Sequence, residues 1–245
     1  MIRWPAGLPL RLRAFLLHLF CSAALAMLAV LLVFRFWYPS PLDQAVGVAR
    51  IFLLLLFVDV ILGPVLTLIV FKVAKKSLRF DLTVIVLLQL AAFGYGMAFV
   101  MEGRPVWLVF SVDRFEVVRA NEYDRRHLDL ARPEYRQPSW LGPQWVAAAM
   151  PTDIEKRNTL TFEAAFAGLD LPHRVDFYQP LTASAAEIRA KAKNMDALLE
   201  FNTPAAVASV RARFPQADAW LPLMSRVQPM TVLLRRETAE VLAVV

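Results

Sequence analysis

The chain has 245 residues, 58% of them hydrophobic and only 20% charged, against about 25% charged in ordinary soluble domains. That composition excludes a wholly soluble fold and points to membrane spans. The net charge of +6 lies entirely in the first 101 residues (nine basic, three acidic, 9 − 3 = +6), because residues 102–245 carry 18 of each sign. A nucleic-acid reading of the basic balance therefore loses its main support, and no nucleic-acid partner is expected.

The first apolar run covers residues 14–38, AFLLHLFCSAALAMLAVLLVFRFWY. A span needs roughly 20 residues, and a cleaved signal has an apolar core of only about 7–15, so this is an uncleaved helix. Further runs cover residues 51–71 and 82–101. Arg3, Arg11 and Arg13 precede the first span, and Lys72, Lys75, Lys76 and Arg79 lie around the second connection. The first connection, PSPLDQAVGVAR, has only Arg50 and Asp43. The positive-inside rule then puts the N-terminus and second connection in the cytoplasm, against anionic lipid heads, and everything after Met101 outside. Trp37 and Tyr38 mark the outer boundary of the first span, where Arg35 can snorkel.

Residues 102–245 are enough for one domain. PVWLVFS alternates like a strand but is apolar on both faces, and a turn at Asp113-Arg114 leads into a second strand, FEVVRA. Residues 124–152 are rich in Arg, Pro and Trp and read as loop with short helical pieces. A helix is expected after Thr152 as N-cap, with Gly168 as stop. Another runs over 184–201 behind a Ser184/Glu187 capping box, and Asn202 closes it. A third opens at Thr203-Pro204 and ends at Pro215. MTVLLRR and AEVLAVV close the chain as two strands. The expected fold is a bundle of three transmembrane helices (membrane domain 1–101). An α+β periplasmic domain (102–245) follows, an antiparallel sheet with helices on one face.

Cys21 is the single cysteine, so no intrachain disulfide and no CxxC site exists. The sequence has no G-x-S-x-G elbow, H-E-x-x-H, P-loop or dinucleotide fingerprint. His18, His127 and His173 are scattered. Glu122 and Asp124 read as solvated loop charges, Asp124-Arg125-Arg126 as an ion-paired surface. Trp107, Trp140, Trp145 and Trp220 read as core or membrane-facing anchors rather than a binding shelf. No catalytic, cofactor-binding or metal site is expected, and no cofactor.

One residue resists that plain reading. Asp59 lies ~12 Å into the second span at 1.5 Å per residue, where a carboxylate costs about 2.5–3.5 kcal/mol on insertion scales. Gly63-Pro64 follows one turn on, and the proline leaves a carbonyl near Val60 without a donor. Counting up the spans from 71 and 82 places Asp59 level with Gly94 and Tyr95, whose hydroxyl would meet the carboxyl, with Gly94 and Gly96 allowing close approach. Three roles stay open: structural pairing, recognition of a partner helix, and proton transfer. The candidate partner-binding residues are Asp59, Gly63, Pro64 and Tyr95.

YPSPL at 38–42, DVILGPVLTLIVFK at 59–72, KKSLRFDL at 75–82 and GRPVWLVFSVDRFEVV at 103–118 resemble the type IV pilin accessory proteins of the TfpX/TfpZ family. The resemblance is close over 38–120 and looser beyond. It implies a multi-pass protein of the bacterial inner membrane, encoded with a major pilin, which would help that pilin's stability, assembly or display. Chaperone-like contact with the pilin's membrane helix and periplasmic head is the expected mode. The alternatives are a membrane enzyme modifying pilin or an envelope component, and a periplasmic sensor signalling through a partner.

Overall fold

The computed structural model describes residues 8–245, so the Arg3 of the orientation argument lies outside the described residues. Among the described residues the chain forms two compact units: residues 8–36 with 48–102, and residues 37–47 with 103–245.

The first unit is helical. α1 (Leu10–Leu32) runs on through a wide π-helical turn to Trp37. α3 (Val48–Phe57), a π-helical turn (Val58–Leu62) and α4 (Gly63–Val70) form one continuous rod. α5 spans Leu78–Glu102. Each of the three is long and apolar enough to cross a membrane. α1 buries Ser22, Ala26 and Ala29, small residues that let it lie close against α4. Gly96 does the same for α5, since a Cβ there would stand 2.4 Å from Leu55 Cδ1. Gly94 faces open space, so of the two glycines only Gly96 admits a neighbour.

The second unit is an eight-stranded sheet. Its strands are β1 (Pro105–Ser111), β2 (Arg114–Arg119), β3 (Gln144–Ala148), β4 (Tyr178–Pro180), β5 (Lys193–Asn194), β6 (Ala219–Met224), β7 (Met230–Arg235) and β8 (Glu240–Val244). The order is β4-β3-β1-β2-β6-β7-β8, with β5 on β6. The hairpins β1–β2, β6–β7 and β7–β8 are antiparallel as expected. The β1–β3 and β2–β6 pairs are parallel, so the sheet is mixed rather than antiparallel. Sequence reasoning overlooked β3, β4, β5 and β6, and of these β3 and β6 create both parallel pairs. β6 contains Pro222, which argues against a central strand. Its partner explains the exception. Thr231, opposite Pro222, spends its N–H and C=O on Val245, so no β6–β7 ladder bond is asked of the proline.

Helices cover both faces, not one. α2 (Leu42–Val46) and α7 (Ala185–Lys191) place Leu42, Ala45 and Ile188 against Leu108, Phe110, Leu221 and Val232. On the opposite face α6 (Ile154–Ala167) sets Leu160 near Trp107 and Val109. There, too, α8 (Pro204–Arg213) sets Val207 against Trp220 and Leu233. The reason is in β1, where all seven residues are buried: a strand apolar on both sides needs a layer on each. Residues 37–47, between two apolar helices in sequence, are part of this core. Ala45 O accepts from Ser225 Oγ at 2.7 Å and from the Val227 N–H at 3.2 Å.

Local ends differ from expectation where side chains found other partners. The β1–β2 turn is Val112-Asp113, one residue early. α6 is capped by Asp153, not Thr152, and Gly168 closes it at φ 67°. The expected helix over 184–201 breaks after Lys191, because Ala192 turns extended and residues 193–194 join β6. Ser184 makes no capping bond, its Oγ accepting instead from Gln179 Nε2. Thr203 does cap α8, accepting from the Ala206 N–H.

Candidate functional site

Four polar side chains meet inside the helical unit: His18 and Ser22 from α1, Thr67 from α4 and Gln89 from α5. Asp59 and Gly63 border them. His18 and Ser22 are four residues apart, as are Asp59, Gly63 and Thr67, so each set forms one stripe on its helix.

The network can be read atom by atom from one fixed point. Gln89 Nε2 lies 2.9 Å from the Asp59 carbonyl, which only accepts, so the amide nitrogen belongs there. Nε2 also donates to Ser22 Oγ at 2.9 Å. Gln89 Oε1 then faces His18 Nε2 at 2.9 Å and must accept from it. In the neutral imidazole Nδ1 is left as acceptor, and Thr67 Oγ1 at 2.7 Å donates to it.

The Asp59 carbonyl needs this outside donor for a backbone reason. In the i→i+5 register of Val58–Leu62, its donor would be residue 64, which is proline and has no N–H. The unbonded carbonyl expected near Val60 is therefore met at Asp59, and Gln89 supplies what the helix cannot. Gly63 makes room for that amide. A Cβ at 63 would stand 1.8 Å from Gln89 Oε1 and 2.4 Å from its Cδ.

Asp59 is 5% exposed, and Gly63 and Pro64 are buried beside it. Asp59 Oδ2 is buried with no hydrogen-bond partner among the described residues. Tyr95 does not meet it: that side chain is 79% exposed. The expected pairing failed on helix ends. α5 starts at Leu78, not 82. Asp59 lies eleven residues before Val70, the end of α4, and eleven residues beyond Leu78 is Gln89. Gln89, Thr67, His18 and Ser22 are the residues that sequence reasoning missed. Their signal was polarity within otherwise apolar runs.

A groove of about 300 Å³ runs between the α3–α4 rod and α5, past Asp59, Gly63 and Gln89. Its walls are apolar, with Val58, Leu62, Leu66 and Leu88 all exposed along it. Chemically the site offers a satisfied polar knot, one unpartnered buried carboxyl oxygen and an apolar trough.

The sheet unit holds a second charged cluster. Arg174, its side chain 8% exposed, pairs with Asp176 at 2.9 Å, with Glu163, and with Asp124 at 3.8 Å. Arg126 grips Asp124 in a fork at 2.8–3.1 Å and reaches Glu163 at 3.0 Å. The Arg126 hydrogen bond holds the Asp124 carboxyl below its usual range. Asp124 is thus buried, not part of a solvated face, and the cluster ties α6 to the turns around 171–177. Glu122 pairs with Arg119 at 2.7 Å. Trp107 and Trp220 are core, Trp145 is half-buried, and Trp140 is exposed.

The family model described as Fimbrial assembly protein FimB matches residues 8–47. The serogroup I fimbrial assembly protein of Dichelobacter nodosus is 32% identical over 179 residues, 72% of this chain and 69% of the relative. The serogroup E1 protein of the same organism is 31% identical over the same shares. The protein of serogroups C1 and C2 is 36% identical over 104 residues, 42% of this chain and 79% of the relative. No solved structure matches. With a relative of that identity matched over more than two thirds of its length, the chain belongs to the fimbrial assembly protein family.

Proposed function

We propose that the protein is a non-enzymatic accessory factor for type IV pilin, anchored in the bacterial inner membrane. α1, the α3–α4 rod and α5 cross the bilayer, with the N-terminus cytoplasmic and the sheet domain periplasmic. The groove beside Asp59 receives the membrane helix of a pilin, and the sheet domain meets the pilin head. Family membership supports the role in assembly. The observation that carries the groove reading is the orphaned Asp59 Oδ2 at an apolar trough.

Lipid changes what attracts helices to one another. Apolar contact alone gives little preference, since acyl chains are as apolar as leucine, so close packing and polar contacts decide. The side chains of His18, Ser22, Thr67 and Gln89 and the Asp59 carbonyl each have a partner within the chain. A buried acceptor left unmade costs about 1–3 kcal/mol, and a donor on an incoming helix would recover that. The notch at Gly63 and the wide turn before it bring the Asp59 region near the trough.

The test is co-purification with the co-expressed pilin after crosslinking in the membrane. Asp59→Asn changes one atom of the acceptor and preserves volume. Capture should fall in Asp59→Asn while expression stays equal. Undiminished capture would return Asp59 to bundle architecture, and a variant lacking the sheet domain would then locate the contact.

A further inference from the structure

By its backbone Trp37 is the last residue of the first apolar helix, and its side chain is buried. Its indole meets the ring of Trp140 edge-on, centroids 5.6 Å apart. Trp140 is itself 57% exposed, and Leu141 beside it is 53% exposed. The turn carrying them is closed by its own bonds. Ser139 Oγ accepts from the Leu141 N–H at 3.2 Å and donates to Leu141 O at 2.9 Å. Gly142 follows at φ 76°, where a side chain would be strained. A preorganised turn thus holds two large apolar side chains in the open, so that burying them would cost little ordering entropy.

The ring contact with Trp37 says what covers them. Leu10–Trp37 has 28 residues, ~42 Å at 1.5 Å per residue. A bilayer with its headgroups is ~40–45 Å thick. The end of that helix therefore lies at headgroup level, and exposed Arg35, two residues earlier, suits the same depth. Tryptophan prefers this zone, where its ring is half in hydrocarbon and its N–H in water.

We propose that the turn 139–142 is an interfacial anchor that inserts Trp140 and Leu141 among lipid headgroups. This rests on the reading that the first helix crosses a membrane.

The test uses the full chain in phosphatidylethanolamine–phosphatidylglycerol vesicles. Cys21, the free cysteine, is replaced by Ser, and a polarity-sensitive dye is placed on Leu141→Cys. Leu199→Cys, at an exposed site of the sheet unit, is the control. The dye at 141 should emit to the blue, be quenched by headgroup spin labels and resist aqueous iodide, with the reverse at 199. Iodide quenching at 141 equal to that at 199 would overturn the anchor. So would protection that arises only when pilin is reconstituted alongside, which would make the turn a protein contact. Alkaline carbonate extraction reads the premise separately. Protein that washes off denies the span and the anchor together, whereas protein that stays while position 141 is open to iodide denies the anchor alone. Should the cysteine variants misfold, brominated lipids must quench the intrinsic fluorescence of the native chain more than that of Trp140→Phe. Equal quenching would overturn the proposal.

Discussion

Replacing Gly63 with alanine tests the polar knot through a single methyl group. The added Cβ would stand 1.8 Å from Gln89 Oε1, 2.4 Å from Cδ and 2.8 Å from Nε2, so the amide must leave. Leaving breaks its bonds to His18, Ser22 and the Asp59 carbonyl. Side-chain hydrogen bonds between membrane helices average about 0.6 kcal/mol each and reach about 1.7, so three together come to about 2 kcal/mol. Gln89→Ala removes the same three and should cost a similar amount. The informative variant is the double one. With the amide gone, the methyl at 63 meets no obstacle. Gly63→Ala should then add almost nothing, giving a coupling of about 2 kcal/mol, well above the 0.3–0.5 expected of independent sites. Unfolding of the detergent-solubilised protein by denaturing surfactant, followed by tryptophan emission, measures all four corners of the cycle. If Gly63→Ala costs the same with and without Gln89, the two residues do not meet, and the reading of Gly63 as the notch for Gln89 is refuted.

Two further outcomes concern the sheet unit. Arg174→Met should destabilise by about 3–5 kcal/mol, because Asp124, Asp176 and Glu163 lose a buried cation; an unchanged unfolding midpoint would make that cluster decorative. The depressed Asp124 carboxyl contributes stability that is present above its unfolded value of about 3.9 and lost as pH falls through its lower folded value. Between about pH 5 and pH 2 the native chain should therefore lose more stability than Asp124→Asn, and parallel acid profiles would contradict the assignment.

The three helices were legible because about twenty apolar residues in a row have few other meanings. The strand pair β1–β2 and the closing β7–β8 hairpin were legible from alternation. β3 was hidden by its composition: QWVAA is short and carries two alanines, hence a weak strand signal, and it follows a loop full of proline. β6 was hidden by Pro222, whose place depends on which neighbour needs a donor, a fact of pairing and not of sequence. The cover on both faces was half written in β1, which is apolar on both sides. The Gln89 site shows a different limit. Asp59, Gly63 and Pro64 stood out because their chemistry is anomalous in an apolar helix. Their partner depends on where α4 ends and α5 begins: the four residues between position 82 and Leu78, with the one between position 71 and Val70, moved the level position from Gly94, beside Tyr95, to Gln89.

The most direct measurement of the central claim is site-specific photo-crosslinking in living membranes. A photo-reactive residue goes in place of Leu62, an exposed wall of the groove, and separately in place of Phe57, equally open on the same rod but outside the groove. The account predicts a covalent adduct with the membrane segment of the co-expressed pilin from position 62 and none from position 57. Adducts of equal yield from both positions, or lipid adducts alone from position 62 while pilin is present, would contradict it.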